Sequence, residues 1–379
     1  MPGNPTEEAA CTPIFSKTEM DYYVHRILFA EAAEKNGRAG LLLQPDYSFL
    51  FSLLSSLKSG GSLRISHIIC FSHTDQMTPS HGLYNLNYLE SILPMYFADL
   101  DYQPYYFYDD IAAHFQNFNG FPCMILTSEY AITCTSDYQR GILYKAPAVV
   151  SLLWELYQSY QDKCTPLLQV MDALEMNDQA FTDQMYRVFP CYVFQPEACV
   201  LPLMKPSVLE RALYQDLPNR PTFIRQALLL LANNRKRLVP GKFIVYFTMQ
   251  GLRDFTVSGR IEEIPYEIYR PLTIEERAEI LEAMLPYCQN GVYRALKKPF
   301  HQLTKNLHLV VNAEMAYLLF HNMQGRVLAL IFQEPGLLSV FSDYLESLND
   351  TQFYSPEETE GLVRSLLSEL RLQISSEES

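Results

Sequence analysis

The hydrophobic pattern between residues 122 and 161 predicts a hairpin, a third strand and a helix. Short apolar runs in PCMILTS, EYAITCTSDYQ and RGILYK are separated by turn residues, as in antiparallel strands. In the following segment, APAVVSLLWELYQSYQ, an apolar face repeats at helical spacing through Val149, Val150, Leu153 and Leu156. We therefore expect helix 146–160 to pack on a sheet that contains these strands.

Two more strands and a helix precede this segment. Residues 64–71 are apolar enough for a buried strand, residues 102–108 form a second strand, and residues 88–97 between them are helical. Strand, helix and strand in this order are typical of parallel strands joined by a crossover helix. We therefore expect both strands to share a sheet with residues 122–145, in an α/β domain that covers residues 17–163.

The rest of the chain divides into three regions. Residues 1–16 contain Pro and Glu without periodicity, and we expect a disordered tail. Residues 164–240 are mostly helical, whereas residues 241–379 combine a strand at 243–249, a meander at 307–334 and helices. The meander alternates little, so both of its faces need cover from helices or from a second copy, and a homodimer is the expected state. The fold class is thus α/β (α+β), with a helical middle and a small C-terminal sheet covered by helices.

Composition and charge exclude several classes of protein. The chain has 379 residues, is 48% apolar and carries a formal net charge of −14. Such a charge repels nucleic acid and anionic lipid, so we expect neither direct nucleic acid binding nor membrane association. The sequence contains no apolar run of membrane-spanning length and begins without the features of a signal peptide, so a cytoplasmic protein is expected.

No motif in the sequence indicates a cofactor. Gly120, Gly141 and Gly251 are isolated, and no phosphate-binding glycine loop occurs. The eight cysteines include no Cys-x-x-Cys, and the eight histidines include no His-x-x-x-His pair, so no metal site is indicated. We expect no cofactor, and cysteines that serve as small buried hydrophobic residues.

The segment ILTSEYAITCTSDYQRGILYKAPAVVSLLWELYQSY resembles the second half of a phospholipase D-like domain. In that family a strand carries the catalytic histidine, a hairpin and a Gly-containing strand follow, and a helix with an aromatic-rich end packs behind them. The resemblance implies a phospholipase D-like mixed sheet with packed helices in the N-terminal domain. The family's His-x-Lys-x-x-x-x-Asp signature is missing, because no His-x-Lys occurs in this chain, so no catalytic role carries over.

A second resemblance covers residues 64–370. Segments such as YQPYYFYDDIAAHF, FTMQGLRDFTVSGRIEEIP and FQEPGLLSVFSDYLESL are similar to the C-terminal effector region of uncharacterised helix-turn-helix transcription regulators of gut Firmicutes. Those proteins place a DNA-binding module at the N-terminus. Residues 1–60 contain no convincing helix-turn-helix, so the resemblance implies a sensor or effector role without direct DNA binding.

The carboxyl ends of the predicted parallel strands provide the candidate ligand site, because open α/β sheets bind ligands at that edge. The aromatic strand contributes Tyr105, Tyr106 and Tyr108, whose rings combine a large apolar body with a polar tip. The polar candidates around it are His73, Asp75, Asp109, Asp110 and His114. His73, Asp109 and His114 together would suit an acid–base or metal site, whereas the alternative is solvated loop histidines and an Asp pair that caps the next helix.

A basic patch lies between residues 205 and 242, and its central members are Arg225, Arg235, Lys236 and Arg237. A helix–turn–helix arrangement there would resemble a DNA-reading unit. Against this, the second helix is too apolar to lie in a groove, and basic residues at a helix C-terminus also stabilise the helix dipole. An acidic protein partner or self-association fits the patch better.

These observations favour a non-catalytic sensor, effector or interaction protein with an unknown small molecule or protein as partner. The alternative is a hydrolase-like enzyme with an atypical site near His73, Asp109 and His114. The two differ in one geometric expectation. The enzyme requires these side chains to lie within hydrogen-bond reach of each other, whereas the sensor needs an apolar or aromatic crevice.

Overall fold

The computed structural model describes residues 10–44, 46–57, 63–71, 79–98, 100–109, 120–172, 175–177, 179–185, 187–298, 308–348 and 350–377. The chain divides into two compact units, residues 1–168 and residues 169–379. Each unit contains one mixed sheet with helices packed on it, which confirms the α/β class.

Unit 1 alternates strands and helices and then ends in antiparallel strands and a helix. Its elements in chain order are β1 (Cys11–Ile14), α1 (Lys17–Ala32), β2 (Arg38–Leu42), α2 (Ser48–Ser56), β3 (Arg64–Phe71), α3 (Pro79–Phe97), β4 (Asp101–Tyr108), β5 (Cys123–Leu126), β6 (Ala131–Cys134), β7 (Gly141–Tyr144), α4 (Pro147–Gln161) and β8 (Thr165–Pro166). The sheet order is β1-β7-β6-β5-β2-β3-β4-β8. Strands β2, β3 and β4 are parallel, and the remaining pairs are antiparallel. The prediction that residues 64–71, 102–108 and 122–145 share one sheet is confirmed.

Two strands of unit 1 differ from the sequence expectation. Residues 11–14 form β1, which pairs antiparallel with β7 and buries Ile14, so the prediction of a disordered tail is wrong for these residues. Residues 38–42 form the central strand β2, which the hydrophobic pattern does not predict. The run RAGLLL does not alternate because the sheet is covered on both faces, so β2 lacks the period that marks a half-exposed strand.

Helix α4 packs on the sheet through a face that only partly matches the predicted one. Val150 and Leu153, both predicted, pack there together with Tyr157 and Trp154, whereas Leu156 is 36% exposed. The indole N–H of Trp154 donates to the carbonyl of Thr127 at 2.9 Å. Gly40 in β2 makes this contact feasible, because a Cβ there would lie 3.0 Å from the indole ring. The face of α4 that carries Trp154 therefore packs on the sheet.

Unit 2 has its own sheet. Its elements are β9 (Gln169–Asp172), a 3-10 turn (Glu175–Asn177), α5 (Gln179–Met185), β10 (Cys191–Phe194), a second 3-10 turn (Leu201–Leu203), α6 (Pro206–Ala212), α7 (Arg220–Arg237), β11 (Phe243–Thr248), α8 (Met249–Ser258), α9 (Ile274–Gln289), β12 (Tyr293–Leu296), β13 (His308–Val311), β14 (Ala316–His321), β15 (Val327–Phe332), α10 (Pro335–Ser347), a third 3-10 turn (Asp350–Gln352) and α11 (Pro356–Glu377). The sheet order is β12-β11-β10-β13-β14-β15-β9, so the predicted strand at 243–249 and the meander do share one sheet.

The separation of a helical region 164–240 from residues 241–379 does not match this sheet. Strand β10 lies between β11 and β13, so residues 191–194 join the two predicted regions into one fold. Every residue of β10 is buried, and an apolar run of four residues carries too little pattern to reveal a central strand.

Unit 2 repeats the topology of unit 1. In both units an edge strand comes first, three parallel strands joined by helices follow, and three antiparallel strands and a helix come next. Beyond this shared part, unit 1 adds β8 and unit 2 adds α11. The last antiparallel strand pairs with the edge strand in each case, β7 with β1 and β15 with β9. The registers also correspond, since Cys123 opposes Cys134 at the point of the first hairpin where His308 opposes Leu319. The carboxyl end of β2 therefore corresponds to the carboxyl end of β10.

Candidate ligand-binding pocket in the second unit

Four members of the predicted site in unit 1 lie within the described residues. Tyr106 stacks on Phe71 with ring centroids 5.4 Å apart, and Tyr108 meets the edge of Tyr106 at 5.4 Å. Tyr105 lies on the opposite face of β4, because alternate strand residues point to opposite faces, and it packs near the α4 helix. Asp109 is exposed at the end of the strand. The other predicted members, His73, Asp75, Asp110 and His114, lie outside the described residues.

The basic patch contains residues with defined structural contacts. The guanidinium of Arg235 donates to the carbonyl oxygens of Pro202, Leu203 and Met204 at 3.0–3.3 Å. Arg237 lies 3.5 Å from the carboxylate of Asp183, and its side chain is largely buried. Arg225 and Lys236 are exposed. Arg235 and Arg237 therefore contact other elements of unit 2. The helix-dipole interpretation assigns them only an interaction with their own helix.

A pocket of about 120 Å³ lies within unit 2, between one face of the sheet and helices α6 and α7. The lining residues from α7 are spaced three or four positions apart, so they lie on one face of the helix. They are Phe223, Ala227, Leu230, Leu231 and Asn234. The sheet contributes alternate residues that point to the same face. The other lining residues include Val193, Val310, Tyr317 and Leu319 from the strands, Leu209, Ala212 and Leu213 from α6 and its end, and Met176 and Phe181.

Polar groups line one part of this apolar pocket. Gln195 directly follows β10, and Glu263 lies in the connection between α8 and α9. The amide nitrogen of Gln195 donates to Oε1 of Glu263. Gln195 is only 2% exposed, and its Oε1 has no hydrogen-bond partner among the described residues. An unpaired buried acceptor costs free energy, so it marks a position where a donor belongs.

Burial shifts the protonation of Glu263. It raises the pKa of this carboxyl group to about 7, and the neighbouring Glu197 adds to the rise, while His308 and the thiol of Cys199 oppose it. A carboxyl group with such a pKa changes charge near neutral pH. Glu263 can therefore either donate or accept a hydrogen bond at the pocket wall.

Two histidine–glutamate pairs lie behind Glu263. Nε2 of the buried His308 is 3.1 Å from Oε1 of Glu197, although neither ring nitrogen makes an aligned hydrogen bond within the described structure. Burial alone would lower the pKa of His308, but Glu197 and the other two carboxylates outweigh burial and raise it. Nε2 of His321 lies 3.3 Å from Oε2 of Glu262, and the hydrogen bond to this glutamate raises the pKa of His321.

The arrangement suits binding better than covalent chemistry. Burial raises the pKa of the Cys199 thiol well above its ordinary value, so a nucleophilic thiolate is disfavoured in the pocket. Throughout the described ranges, no three His, Cys, Asp or Glu side chains are arranged to hold a metal ion. The remaining polar contacts at the pocket wall are hydrogen bonds.

Sequence reasoning missed this pocket. Its polar residues, Gln195, Cys199, Asn234 and Glu263, come from separate elements and form no motif along the chain. One signal was present, since Gln195 and Glu197 follow the buried run CYVF, at the end of a strand where α/β sheets place their ligands. No local feature distinguishes Glu263 from its neighbour Glu262.

The fold defines the chain as a mixed α/β protein of two units with the same topology. In the parts of the chain that the structure describes, no helix is both long and apolar enough to cross a bilayer. No protein-family model matches the sequence, and no curated protein matches it.

Distant likenesses to solved structures are more extensive. Phosphatidylserine synthase of Haemophilus influenzae Rd KW20 aligns over 97% of this chain and 94% of its own, at 10% identity and a TM-score of 0.27. Polyphosphate kinase of Porphyromonas gingivalis aligns over 95% of this chain and 56% of its own, at 12% identity and a TM-score of 0.28. TrmBL2, an archaeal chromatin protein, aligns over 42% of this chain and 54% of its own, at 10% identity and a TM-score of 0.27. Scores this low assign neither a family nor an activity.

Proposed function

We propose that unit 2 binds a small molecule in the pocket beside α7 and that the chain acts as a sensor or effector protein. The observation that carries the proposal is the buried, unpaired Oε1 of Gln195 at the wall of an otherwise apolar pocket. Ligand sites in proteins typically combine an apolar wall with a few placed polar groups. The volume of about 120 Å³ is close to the engineered cavity of about 150 Å³ that takes up benzene, so a one-ring ligand is the right size.

The pocket is partly open to solvent, so a small molecule can reach its wall from outside. A ligand that contacts the apolar part of the wall removes apolar surface from water, which favours binding.

Support for sensing over hydrolysis comes from the chemistry of the wall. Cys199 is held as a thiol, and no histidine that could activate a nucleophile is among the described residues that line the pocket. The sequence resemblance to effector regions of transcription regulators belongs to this proposal, with a protein partner that responds to ligand occupancy. The phospholipase D-like resemblance of residues 122–161 is kept as a resemblance of fold, because the His-x-Lys motif is missing.

The test is to fill the pocket from one side. Ala227 lies at the wall on α7, so Ala227→Leu places three extra carbons in the pocket. Ala232→Leu is the matched control, since Ala232 is exposed on the same helix. Native mass spectrometry of the intact chain, before and after equilibration with one-ring aromatic compounds, measures binding.

We expect bound small molecules on the wild type and on Ala232→Leu, and none on Ala227→Leu. Equal binding to all three proteins would place the ligand elsewhere. A wild type that binds none of the compounds and carries no co-purified molecule would count against the proposal.

A further inference from the structure

We propose that the ligand of this pocket is an organic cation, an ammonium group on a compact apolar body. The inference rests on the proposed function and concerns the chemical class of the ligand. It follows from three features of the pocket: the type of hydrogen-bonding capacity left at the wall, the balance of charge behind it, and the aromatic rings around it.

At Gln195 and Glu263 the hydrogen-bonding capacity of the wall is mostly accepting, whereas Asn234 on α7 keeps its amide donors because its oxygen accepts from Arg237. Oε1 of Gln195 has no hydrogen-bond partner within the described residues. The carboxylate of Glu263 accepts hydrogen bonds from the Gln195 amide and the Cys199 thiol, and it has room to accept more. The hydroxyl of Tyr269 already donates to the carbonyl of Ile261 and accepts from its amide. Two acceptors side by side fit a ligand group with several N–H donors.

The charges behind the wall leave one carboxylate unmatched. Glu197 lies beside His308, and Glu262 lies beside His321. Glu263 makes no ion pair with a Lys, Arg or His in the described part of the chain, and the lining residues include no Lys, Arg or His. A cation in the pocket would supply the missing partner, because burying an unpaired charge is costly.

Aromatic rings also line the pocket. Phe181, Phe223 and Tyr317 are among them, and the rings of Phe181 and Tyr317 have centroids 6.1 Å apart. The ring of Tyr269 lines the pocket too, but the guanidinium of Arg260 already lies 5.3 Å from its centroid. The negative face of an aromatic ring attracts cations, and aromatic cages bind ammonium ligands in this way. The apolar body of the ligand then contacts the leucine side chains of α6 and α7.

Binding of an ammonium group would displace a proton from Glu263. At neutral pH part of the population carries the carboxyl proton, because burial raises the pKa of Glu263 to about 7. The ammonium favours the carboxylate, so the proton leaves the carboxyl group for solvent and no covalent bond to the ligand forms. His308, Glu197 and Cys199 face Glu263 and set where this titration falls. Affinity for an ammonium ligand should therefore rise as pH increases through about 7.

The probes are cyclohexylmethylamine and cyclohexylmethanol, which share size and shape and differ in charge. Isothermal titration calorimetry of the intact chain at pH 8 measures both compounds on the wild type, Glu263→Gln, Glu267→Gln and Ala227→Leu. Glu267 is the matched control, because it is an exposed glutamate four residues from Glu263. Circular dichroism confirms that each variant is folded.

We expect the wild type and Glu267→Gln to bind the amine about ten- to a hundredfold more tightly than the alcohol, the range expected for a hydrogen bond to a charged group. Glu263→Gln should lose this preference without losing the alcohol, and Ala227→Leu should bind neither. Equal affinities for the two compounds, both lost in Ala227→Leu, would overturn the inference and leave the proposed function standing. Amine binding that persists in Ala227→Leu, or no binding of the amine to the wild type, would also overturn the inference.

Discussion

Glu263→Gln should stabilise unit 2 at alkaline pH, although it removes a charged group that accepts hydrogen bonds. The amide keeps an oxygen acceptor for the Gln195 N–H, so the main contact is retained while the charge is lost. A folded-state pKa of about 7, against an ordinary value of 4.5, means that ionising this carboxyl group disfavours the folded state. Because the folded state holds its proton longer than the unfolded state, stability falls as pH rises from about 4.5 to about 7.

The magnitude follows from the two pKa values. At pH 8 the native state carries a penalty of about 3 kcal/mol, and at pH 5 the penalty is under about 1 kcal/mol. Glu263→Gln removes most of this penalty, so its gain in unfolding free energy should be about 2 to 3 kcal/mol larger at pH 8 than at pH 5. The raised pKa of His308 has the same sign, and Glu263 contributes to that rise, so the substitution reduces it as well.

The assay must separate the two units. Hydrogen exchange measured by mass spectrometry on the intact chain follows peptides of unit 2 at pH 5 and pH 8, with rates corrected for pH. The single tryptophan, Trp154, lies in unit 1, so its fluorescence during urea unfolding provides an internal control that the substitution should not alter. Glu267→Gln should change neither signal. A gain that is equal at both pH values, or a loss at pH 8, would refute the argument that Glu263 is ionised at a cost.

Three further predictions concern other parts of the chain. Burial lowers the pKa of His67 to about 3, so unit 1 should lose about 2 kcal/mol of stability when the pH falls from 8 to 5. Urea unfolding followed by tryptophan fluorescence measures this loss, and an unfolding midpoint that does not change with pH would contradict a neutral buried imidazole. Gly251→Ala would place a Cβ 2.0 Å from the carbonyl oxygen of Pro196, so it should destabilise unit 2 by several kcal/mol in urea unfolding followed by circular dichroism. Gly361→Ala in α11 meets nothing within 4 Å and should stabilise unit 2 by about 0.5–1 kcal/mol in the same assay. Arg235→Met removes the donors to three backbone carbonyls and should lower the unfolding free energy of unit 2 by about 1–3 kcal/mol in the same assay. The wild type should not bind DNA at low salt, and salt-sensitive DNA binding that this variant loses would support the nucleic acid interpretation.

The sequence was most informative where neighbours in the chain are also neighbours in the sheet. Strands β5, β6 and β7 were predicted because turn residues separate short apolar runs, and antiparallel pairing is local. The central strands β2 and β10 carried no comparable signal, since both are buried and pair with strands distant in the chain. The repeat of topology was not detected either, because strand order and register can be kept by different apolar residues.

The pocket was beyond local sequence reasoning for a related reason. Gln195 and Glu263 meet through a hydrogen bond although 68 positions separate them. The property that makes Glu263 a candidate is its raised pKa, which comes from enclosure by other elements and not from its neighbours in the chain. The strand of the predicted aromatic crevice was correct, and alternation along β4 places Tyr106 and Tyr108 on one face and Tyr105 on the other. The crevice itself stays a prediction, because His73, Asp75, Asp110 and His114 lie outside the described residues.

The pairing of the first strand of each unit with the last strand of its hairpin series has a consequence for synthesis of the chain. Residues 11–14 must wait for residues 141–144, and residues 169–172 must wait for residues 328–331, before either sheet gains its edge strand. Such distant contacts slow folding, because a long loop must close before the contact stabilises anything. Unit 1 has all its strands once residue 166 has left the ribosome, so it can complete its sheet while the partners of β9 are still being translated. Unit 1 can therefore fold before unit 2, and in each unit the strand that is synthesised first is the one that completes the edge of the sheet.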